Sequence, residues 1–444
     1  MKTVISGEAE QPYSHRQYLL LSVPLIISGL STPLLGAVDT AVMGQLPNPS
    51  YIGGVAIGSL IFNYLYWLLG FLRYSTSGFT AQAQGANNQT EVFMSLFRPM
   101  GLAIIFGALF ILLQIPIKHI AIIFLEPSDA VEMHAIQYFD IRIWGAPFTL
   151  LNYVILGWLI GMSKVRLSLF LQLFMNLINI VLDLIFVKVF LMGTDGVAAA
   201  SLIAEFSALV MGLLILAKDQ QIKGISWNWS QFLHKASVIK MLSMNGDLFM
   251  RTLFLLTVFG LFTAKGTSMG ELILAANAIL LQIQFIIAYI LGGFANASSI
   301  LVGRAIGERN TILYNHTIKV TAIWPGTVSL LLAIIIYVAG DAIIALFTTI
   351  PEVQQVSSEY LWWLILFPLV GFWGLQLNGI FTGATAAKQI RNSMILSFII
   401  FLLAAWLCVP QWNNHGLWFA FILFTSARSL FLGRYLPELS RAVQ

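Results

Sequence analysis

The chain is a succession of long apolar stretches separated by short polar segments. Each long stretch approaches or exceeds the roughly 20 apolar residues that a helix needs to cross the hydrocarbon core of a bilayer. The pattern therefore predicts an all-α polytopic membrane protein with twelve transmembrane helices. The predicted spans are 17–44, 52–78, 93–117, 136–161, 167–190, 196–217, 237–264, 271–302, 313–346, 357–384, 393–410 and 416–436.

The second half of the chain repeats features of the first half. One constant shift along the sequence superposes four pairs of identical residues, which are Gly85 and Gly307, Tyr138 and Tyr360, Gly157 and Gly379, and Gly161 and Gly383. One period holds six helices, so both copies insert in the same orientation. We therefore expect two six-helix lobes, residues 1–217 and 241–444, related by a pseudo-two-fold axis along the membrane normal. A polar cytoplasmic linker, 218–240, is expected between them.

Composition excludes a water-soluble fold, because 58% of the residues are hydrophobic and only 9% are charged, against roughly 25% charged in soluble domains. The net charge of +4 does not indicate a nucleic-acid partner, since the basic residues form no cluster. They favour the inner loops instead: only Lys118, Lys188 and Lys265 fall in outer ones. This bias predicts cytoplasmic termini and a multi-pass protein of the plasma membrane. The first sixteen residues are polar and mixed in charge, so we expect no removable signal peptide.

Two parallel repeats are typical of transporters that rock one half against the other around a central cavity. We expect a monomer that contacts membrane lipid and small-molecule substrates. Cys408 is the only cysteine, so neither a disulfide nor a cysteine metal site is expected. A G-x-S-x-G match at 266–270 lies in a predicted loop between membrane helices, where no nucleophile elbow can form. We therefore expect a protein that is not an enzyme.

Ionisable residues inside predicted spans are costly and usually face a functional cavity. The candidates are Asp39, Arg73, Asp183, Glu205, Asp247, Arg251 and Lys319. Four others lie nearer helix ends and are expected to be solvated, namely Asp140, Arg142, Asp341 and Arg428. Asp39 follows Pro33 and Gly36 in the first helix. Since proline removes a helix hydrogen bond, we expect a bend there, beside an acid that binds and releases a proton. The alternative is an acid that is permanently protonated or paired.

The fifth predicted helix carries Asn176, Asn179 and Asp183 at spacings of three, four and seven residues. Such spacings place side chains on one helical face. A polar stripe on an otherwise apolar helix favours a wet or proton-bearing cavity. The alternative is that the three side chains only hydrogen-bond to a neighbouring helix and hold the bundle together.

Supporting polar groups occur on two nearby helices. Ser201 and Glu205 are four residues apart in the sixth helix, and Tyr138 near the start of the fourth helix offers a hydroxyl. We expect these residues to extend the same polar network.

The seventh helix contains Asn245, Asp247 and Arg251. Asp247 and Arg251 are four residues apart, so they can neutralise each other in a structural bridge. The competing interpretation is a second ion site in the other half of the chain.

Four segments resemble the DinF-like branch of the MATE, or multidrug and toxic compound extrusion, transporters. They are LLGAVDTAVMG (34–44), FLRYSTSGFTAQAQGA (71–86), GVAAASLIAEFSAL (196–209) and NGDLFMR (245–251). The resemblance implies twelve helices in two lobes, and export of lipophilic, often cationic drugs in exchange for protons or sodium ions. It also implies a coupling site in the amino-terminal lobe that includes Asp39, Asp183 and Asn179. In this branch a basic residue is expected where this chain has Gly246.

Comparison of the two halves favours protons as the coupling ion. Asp39 falls opposite Leu261 and Asp183 opposite Ala405, so the pair of acids is not duplicated. Sodium coupling remains the alternative, because sodium favours several oxygen ligands and this lobe offers those of Asp39, Asn179, Asp183 and Ser201. A lipid-linked oligosaccharide flippase would favour cavity arginines, and a channel would conduct without coupling.

Overall fold

The structure, a computed structural model, describes residues 14–43, 49–220, 222 and 228–443. Within these residues every regular element is a helix, and no strand occurs. A 3₁₀ turn, Ile143–Gly145, joins α6 to α7, and a π-helical turn, Ile185–Val189, follows α8. The α-helices are α1 (His15–Met43), α2 (Pro49–Leu68), α3 (Phe71–Gly85), α4 (Gln89–Leu112), α5 (Gln114–Leu125), α6 (Asp129–Arg142), α7 (Ala146–Gly161), α8 (Val165–Leu184), α9 (Thr194–Lys218), α10 (Trp229–Phe232), α11 (Lys235–Thr267), α12 (Glu271–Gly307), α13 (Thr311–Phe347), α14 (Pro351–Gly383), α15 (Ala387–Gly433) and α16 (Leu436–Val443).

The twelve predicted spans fall largely on helices of the described chain. Among the described residues, ten helical segments are long and apolar enough to cross a membrane. The last of them includes α15, which holds two predicted spans, 393–410 and 416–436, on either side of Asn413 with its non-helical backbone (φ 47°, ψ −125°). The first span, 17–44, lies in α1 apart from its last residue. The predicted class, a polytopic all-α membrane protein, is confirmed.

Helix breaks occur inside three of the predicted spans. The span 52–78 is divided between α2 and α3, the span 93–117 between α4 and α5, and the span 136–161 between α6 and α7. The apolar character continues across each break, so hydropathy alone could not locate it.

The chain forms two compact units. The first unit comprises residues 27–83 and 88–249, and the second comprises residues up to Ile26, 84–87 and those from Met250 onward. The boundaries therefore fall inside α1, at the end of α3 and inside α11, and none of them falls in the polar linker 218–240. The sequence-based division into lobes at 217 and 241 stays a prediction.

Within the first unit, α2 packs on α6, α4 on α7 and α8 on α9. Trp158 of α7 is fully buried, and its indole N–H donates to the Val92 carbonyl of α4 at 3.0 Å. Burying a large aromatic ring while its single donor is satisfied stabilises the α4–α7 contact.

Within the second unit, α14 packs on α12, α13 and α15. Phe262, Trp418 and Phe421 form the centre of its aromatic core, with ring centroids 5.0–5.9 Å apart. Asn277 and Asn414 exchange two amide hydrogen bonds, of 2.8 and 2.9 Å, beside this core. The indole of Trp418 also donates to Asn277 at 2.9 Å, so these buried polar groups are paired, as a membrane interior requires.

The repeated glycines make the same contact in both units. A Cβ atom on Gly157 would lie 2.4 Å from the Arg73 carbonyl oxygen, and one on Gly379 would lie 2.1 Å from that of Ala295. The shift that relates the two glycines also relates Arg73 to Ala295. Gly161 and Gly383 approach Ser77 and Ser299, which are a second equivalent pair. Close backbone approach at small residues is a principal means of helix packing in membranes.

Gly379→Ala is expected to destabilise the protein, because the added methyl group would overlap a backbone carbonyl that cannot move aside cheaply. Overpacking of this kind costs about 1–3 kcal/mol. Gly260→Ala is the matched control, since Gly260 lies inside α11 and its Cβ would meet nothing within 4 Å. Thermal unfolding of the detergent-solubilised variants measures the difference. Equal melting temperatures for the two variants would show that the close approach is unimportant.

Candidate functional site

A stripe of polar side chains runs along the buried face of α8. Ser168, Gln172, Asn176, Asn179 and Asp183 are all buried, and their spacings of four, four, three and four residues keep them on one side. The exposed side chains of the same helix include Leu167, Phe170, Leu173, Leu177, Val181 and Leu184. The helix thus turns its apolar side outward and a row of amides and a carboxyl group inward. Ser168 and Gln172 continue the same spacing, but the prediction from the sequence did not include them in the stripe.

Two hydrogen bonds connect this stripe to α1. The side-chain amide of Gln172 donates to Oδ1 of Asn176 at 3.2 Å, and Nδ2 of Asn176 donates to the backbone carbonyl of Ser31 at 3.3 Å. Ser31 lies two residues before Pro33 in α1. The stripe therefore contacts α1 in the turn that contains its proline.

A further hydrogen bond connects the stripe to α9. Nδ2 of Asn179 donates to the hydroxyl oxygen of Ser201 at 3.1 Å. Asp183, one turn further along α8, is 0% exposed. Asn179 and Ser201 thus join an amide and a hydroxyl group across two adjacent helices, and the carboxyl group of Asp183 lies one turn away on the same buried face of α8.

Asp39 lies in α1, but its side chain falls outside the described part of the structure. The helix is continuous from His15 to Met43, through Pro33 and Gly36. Among the described residues, a Cβ atom on Gly36 would meet nothing within 4 Å. The bend and the coupling role of Asp39 stay predictions.

Glu205 forms a buried ion pair with Arg142. The guanidinium donates from both terminal nitrogens to the two carboxylate oxygens, each at 2.5 Å. It also lies over the rings of Phe62 and Tyr66, 5.5 and 5.6 Å from their centroids. The bidentate geometry and the aromatic stacking are those that arginine favours in dry surroundings.

The expectation that Arg142 is solvated near a helix end is wrong, because the 3₁₀ turn after α6 carries the chain directly into α7 inside the protein. Glu205 therefore pairs with Arg142, whereas Ser201 bonds to the stripe. A signal for the pair was present in the sequence: Glu205 is the only acid within the predicted span 196–217, and a buried acid needs a cation.

The described contacts of Tyr138 place it beside this ion pair. The ring of Tyr138 lies 6.2 Å from that of Phe62, and its hydroxyl accepts a hydrogen bond from Ser59 at 3.3 Å. Asn152 adds to the same region, since its amide donates to the backbone carbonyl of Glu205 at 2.9 Å.

The polar residues of α11 lie partly in each unit. Asn245 and Asp247 are buried and belong to the first unit, whereas Arg251 belongs to the second. Neither amide atom of Asn245 has a hydrogen-bond partner within the described residues. The choice between a structural bridge and a second ion site stays open.

Two repeats of membrane helices, with amides and acids buried among apolar side chains, define a polytopic transporter. The MatE family model matches twice in succession, over residues 24–185 and 248–409, in agreement with the repeat seen in the sequence. The chain belongs to the MatE family of membrane transporters.

Relatives match over nearly the whole chain. DNA damage-inducible protein F of Escherichia coli (strain K12) is 39% identical over 412 residues, which are 93% of this chain and 90% of that protein. A protein of Bacillus cereus named "Probable multidrug resistance protein NorM" is 23% identical over 440 residues, 94% of each chain. These proteins share the full length of the repeat.

Solved structures share the fold. One is described as "Crystal structure of MATE in the bent conformation" and has a TM-score of 0.87 at 19% identity, covering 97% of both chains. Another, the "Outward-facing conformation of a multidrug resistance MATE family transporter of the MOP superfamily", has a TM-score of 0.87 at 18% identity and covers 99% of this chain and all of that one. MATE transporters have twelve membrane helices in two lobes, as predicted for this chain.

Proposed function

We propose that this chain is a secondary active multidrug efflux transporter that exports lipophilic and cationic compounds in exchange for protons. The observation that carries the proposal is the buried polar stripe of α8, which is hydrogen-bonded through Asn176 to the turn of α1 that contains Pro33. An apolar membrane helix gains nothing from such a row unless the side chains bind something polar or bond to a neighbour. In this chain, Asn176 bonds to a neighbouring helix. The carboxyl group of Asp183 is proposed to bind the ion.

Burial of a carboxyl group disfavours its charged form, so a proton is the simplest ion that it can bind. Both acids of the proposed coupling site, Asp39 and Asp183, belong to the first half of the chain, and the second half has Leu261 and Ala405 in their places. The first unit is therefore proposed as the coupling unit.

The proposed coupling runs through α1. Proton binding at the acids changes which hydrogen bonds the stripe offers to α1, and the helix responds at the turn of Pro33 and Gly36, where its backbone lacks one bond. A ligand shifts a conformational equilibrium only through its different affinity for the two states. A MATE protein of this fold has been solved in conformations described as bent and straight, which supports a conformational change of this kind.

The proposed transported compounds are inferred from the names of related proteins. A protein related over the full length is named a probable multidrug resistance protein, and lipophilic cations suit aromatic side chains. We place the protein in the plasma membrane with both termini cytoplasmic, working as a monomer.

The test is transport in proteoliposomes that contain the purified chain and a fluorescent lipophilic cation. An imposed pH gradient at constant sodium is expected to drive accumulation, and a sodium gradient at constant pH is not. Accumulation driven by sodium alone would establish the sodium-coupled alternative, in which oxygens of Asp39, Asn179, Asp183 and Ser201 hold the ion. Flux without coupling would indicate a channel, and movement of a pyrophosphate-linked lipid but no drug would indicate a flippase.

Asp183→Asn is expected to lower pH-driven transport by an amount equal to or smaller than the loss from Asp39→Asn. The substitution keeps the size of the side chain but removes the group that takes up the proton. Asp341→Asn is the control, because Asp341 is exposed and accepts only a surface hydrogen bond from Ser358 among its described contacts. The measurement is initial transport rate and substrate affinity across pH. Unchanged values at every pH would mean that the stripe serves only helix packing.

A further inference from the structure

The helix α1 belongs to both compact units. Its residues up to Ile26 are part of the second unit, and those from Ile27 onward, which include Ser31 and Asp39, are part of the first. The helix is continuous from His15 to Met43, so its start extends the helix that carries Asp39. Residues 15–26 are named the α1 anchor segment. The contacts that fix this segment in the second unit therefore fix one end of the proposed coupling helix.

Tyr18 fixes the α1 anchor segment through its hydroxyl group. Its side chain is 0% exposed, and its ring stacks on Phe294 of α12 at a centroid distance of 6.0 Å. The hydroxyl donates to the Phe294 carbonyl at 3.2 Å and forms a second hydrogen bond, of 3.0 Å, with the hydroxyl of Ser298. Ser298 in turn bonds to the hydroxyl of Thr321 in α13 at 2.9 Å. One phenol thus connects α1 to two helices of the second unit.

Two further contacts hold the ends of the α1 anchor segment. At its start, the indole N–H of Trp324 in α13 donates to Nδ1 of His15 at 3.0 Å. At its end, a Cβ atom on Gly293 of α12 would lie 2.7 Å from the backbone nitrogen of Ile26. Such a close backbone approach requires a small residue. The segment is therefore held along its whole length by α12 and α13.

The hydroxyl network specifies one position for the segment. A buried hydroxyl group is costly without hydrogen-bond partners, and phenylalanine would fill the same space without needing any. Apolar contacts between helices tolerate small shifts, whereas a shift or rotation of α1 breaks the bonds of Tyr18. A fully bonded network of this kind makes a buried contact rigid and specific.

The equivalent network in the repeat is not formed. The constant shift that pairs the repeated glycines gives the equivalents Lys240 for Tyr18, Thr76 for Ser298 and Pro99 for Thr321. Lys240 is exposed and lies over the ring of Phe79 at 5.6 Å. The buried hydroxyl of Thr76 has no hydrogen-bond partner within the described residues. The bonded network therefore occurs on the helix that carries Asp39 and not on its counterpart, α11.

We propose that Tyr18 is a positioning residue for the proposed antiport. Its hydroxyl holds the start of α1 in the second unit, so that a change at Asp39 in the first unit is transmitted along the helix. The inference rests on the proposed function. The other fixed point is the hydrogen bond from Asn176 to the Ser31 carbonyl. A rigid helix that is held at both points transmits a displacement, and one that is released at its start does not. Tyr18 acts through α1, since its buried side chain is not placed to contact the ion or the drug.

The experiment compares two fluxes of one fluorescent lipophilic cation in proteoliposomes. The first is accumulation driven by a pH gradient, and the second is equilibration of the cation down its own gradient at uniform pH. Tyr18→Phe removes the hydroxyl and keeps the stacked ring. The ratio of driven to downhill flux is expected to fall by at least about fivefold, the factor that corresponds to the net free energy of one hydrogen bond. Drug affinity at fixed pH is expected to be unchanged.

The flux ratio separates positioning from stability. A smaller amount of folded protein lowers both fluxes alike and leaves their ratio as in the wild type. Tyr314→Phe is the matched control, because Tyr314 is fully buried in α13 of the same unit and its described hydrogen bond is a single long one, of 3.5 Å, from Ser440. This control is expected to keep the wild-type ratio.

Ser298→Ala disrupts the same network from α12. It is expected to lower the flux ratio as Tyr18→Phe does, and the double variant is expected to be no lower than either single variant, because residues of one hydrogen-bond network are not additive. A wild-type ratio in both Tyr18→Phe and Ser298→Ala would overturn the proposal, as would an equal fall in Tyr314→Phe.

Hydrogen exchange distinguishes this proposal from the proposed function. Asp39→Asn keeps the side chain neutral, so its comparison with wild type at one pH shows where a change at Asp39 is felt. Exchange at the end of α12, residues 294–307, is expected to differ between the two proteins when Tyr18 is present and to be equal when both carry Tyr18→Phe. Equal exchange in the presence of Tyr18 would overturn the proposal.

The two proposals can fail separately. If sodium rather than protons drives the wild type, the flux ratio is measured with a sodium gradient and the same fall is expected. If neither gradient drives transport but the difference in α12 exchange requires Tyr18, the positioning role stands and the proposed function fails. If a pH gradient drives transport and the ratio is unchanged in Tyr18→Phe and Ser298→Ala, the proposed function stands and the positioning role fails.

Discussion

Asp39→Asn is expected to abolish export driven by a pH gradient while the protein still inserts and folds. Asparagine matches aspartate in size and polarity but cannot take up and release a proton. Burial disfavours the charged form of a carboxyl group, so a buried acid binds a proton more readily than one in water does. Asp39 lies eight residues after Ser31, about 12 Å along the helix, so it shares α1 with the carbonyl that Asn176 contacts.

The measurement compares drug accumulation by wild-type and Asp39→Asn proteoliposomes at equal protein density. Size-exclusion profiles and melting temperatures are expected to match, which separates a coupling defect from a folding defect. Binding of the drug at fixed pH is expected to persist. Undiminished drug movement by the variant would remove Asp39 from the coupling mechanism and leave Asp183 as the candidate acid.

Glu205→Gln is expected to have the largest effect on stability. It removes the anion from a buried bidentate pair and leaves the guanidinium of Arg142 charged among Phe62, Tyr66 and the helices around them. Breaking one side of a buried ion pair costs about 3–5 kcal/mol. Such a loss in the free energy of unfolding is larger than the loss caused by most single substitutions. A marked fall in melting temperature and in yield is therefore expected.

A second variant identifies the cause. Arg142→Met combined with Glu205→Leu removes both charges and keeps similar volumes, and replacements of this kind are often neutral or stabilising. The double variant is therefore expected to melt much closer to wild type than Glu205→Gln does. If the double variant is as unstable as the single one, packing rather than an uncompensated charge explains the loss. A wild-type melting temperature for Glu205→Gln would show that the pair contributes little.

In the polar stripe of α8, the residue spacing predicted which side chains share a face but not which groups they contact. Spacings of three and four residues placed Asn176, Asn179 and Asp183 on one face, and the structure buries all three. The same pattern named no partner for any of them. The bond from Asn176 to Ser31 joins residues 145 positions apart, and no local rule relates the two.

Charged residues were harder to interpret than amides. Arg142 and Arg428 both looked like residues near helix ends, and neither is solvated in the way expected. Arg142 is enclosed because a 3₁₀ turn carries α6 directly into α7, and Arg428 is partly buried, with its guanidinium over the ring of Phe424. Both outcomes depend on helix ends and helix distances, which hydropathy does not report.

The sequence by itself determined the class of protein, the number of spans, the repeat and the faces of the helices. These features follow from local quantities: the length of an apolar run, the period of a helix and the recurrence of glycines at a constant shift. Only the tertiary structure decided which buried groups meet, that Glu205 neutralises Arg142 and that Arg428 has no such acid within the described residues. The physical reason is that electrostatic and hydrogen-bond partners in a membrane interior are chosen by the packing of distant helices, at distances of a few ångströms that the order of residues along the chain does not specify.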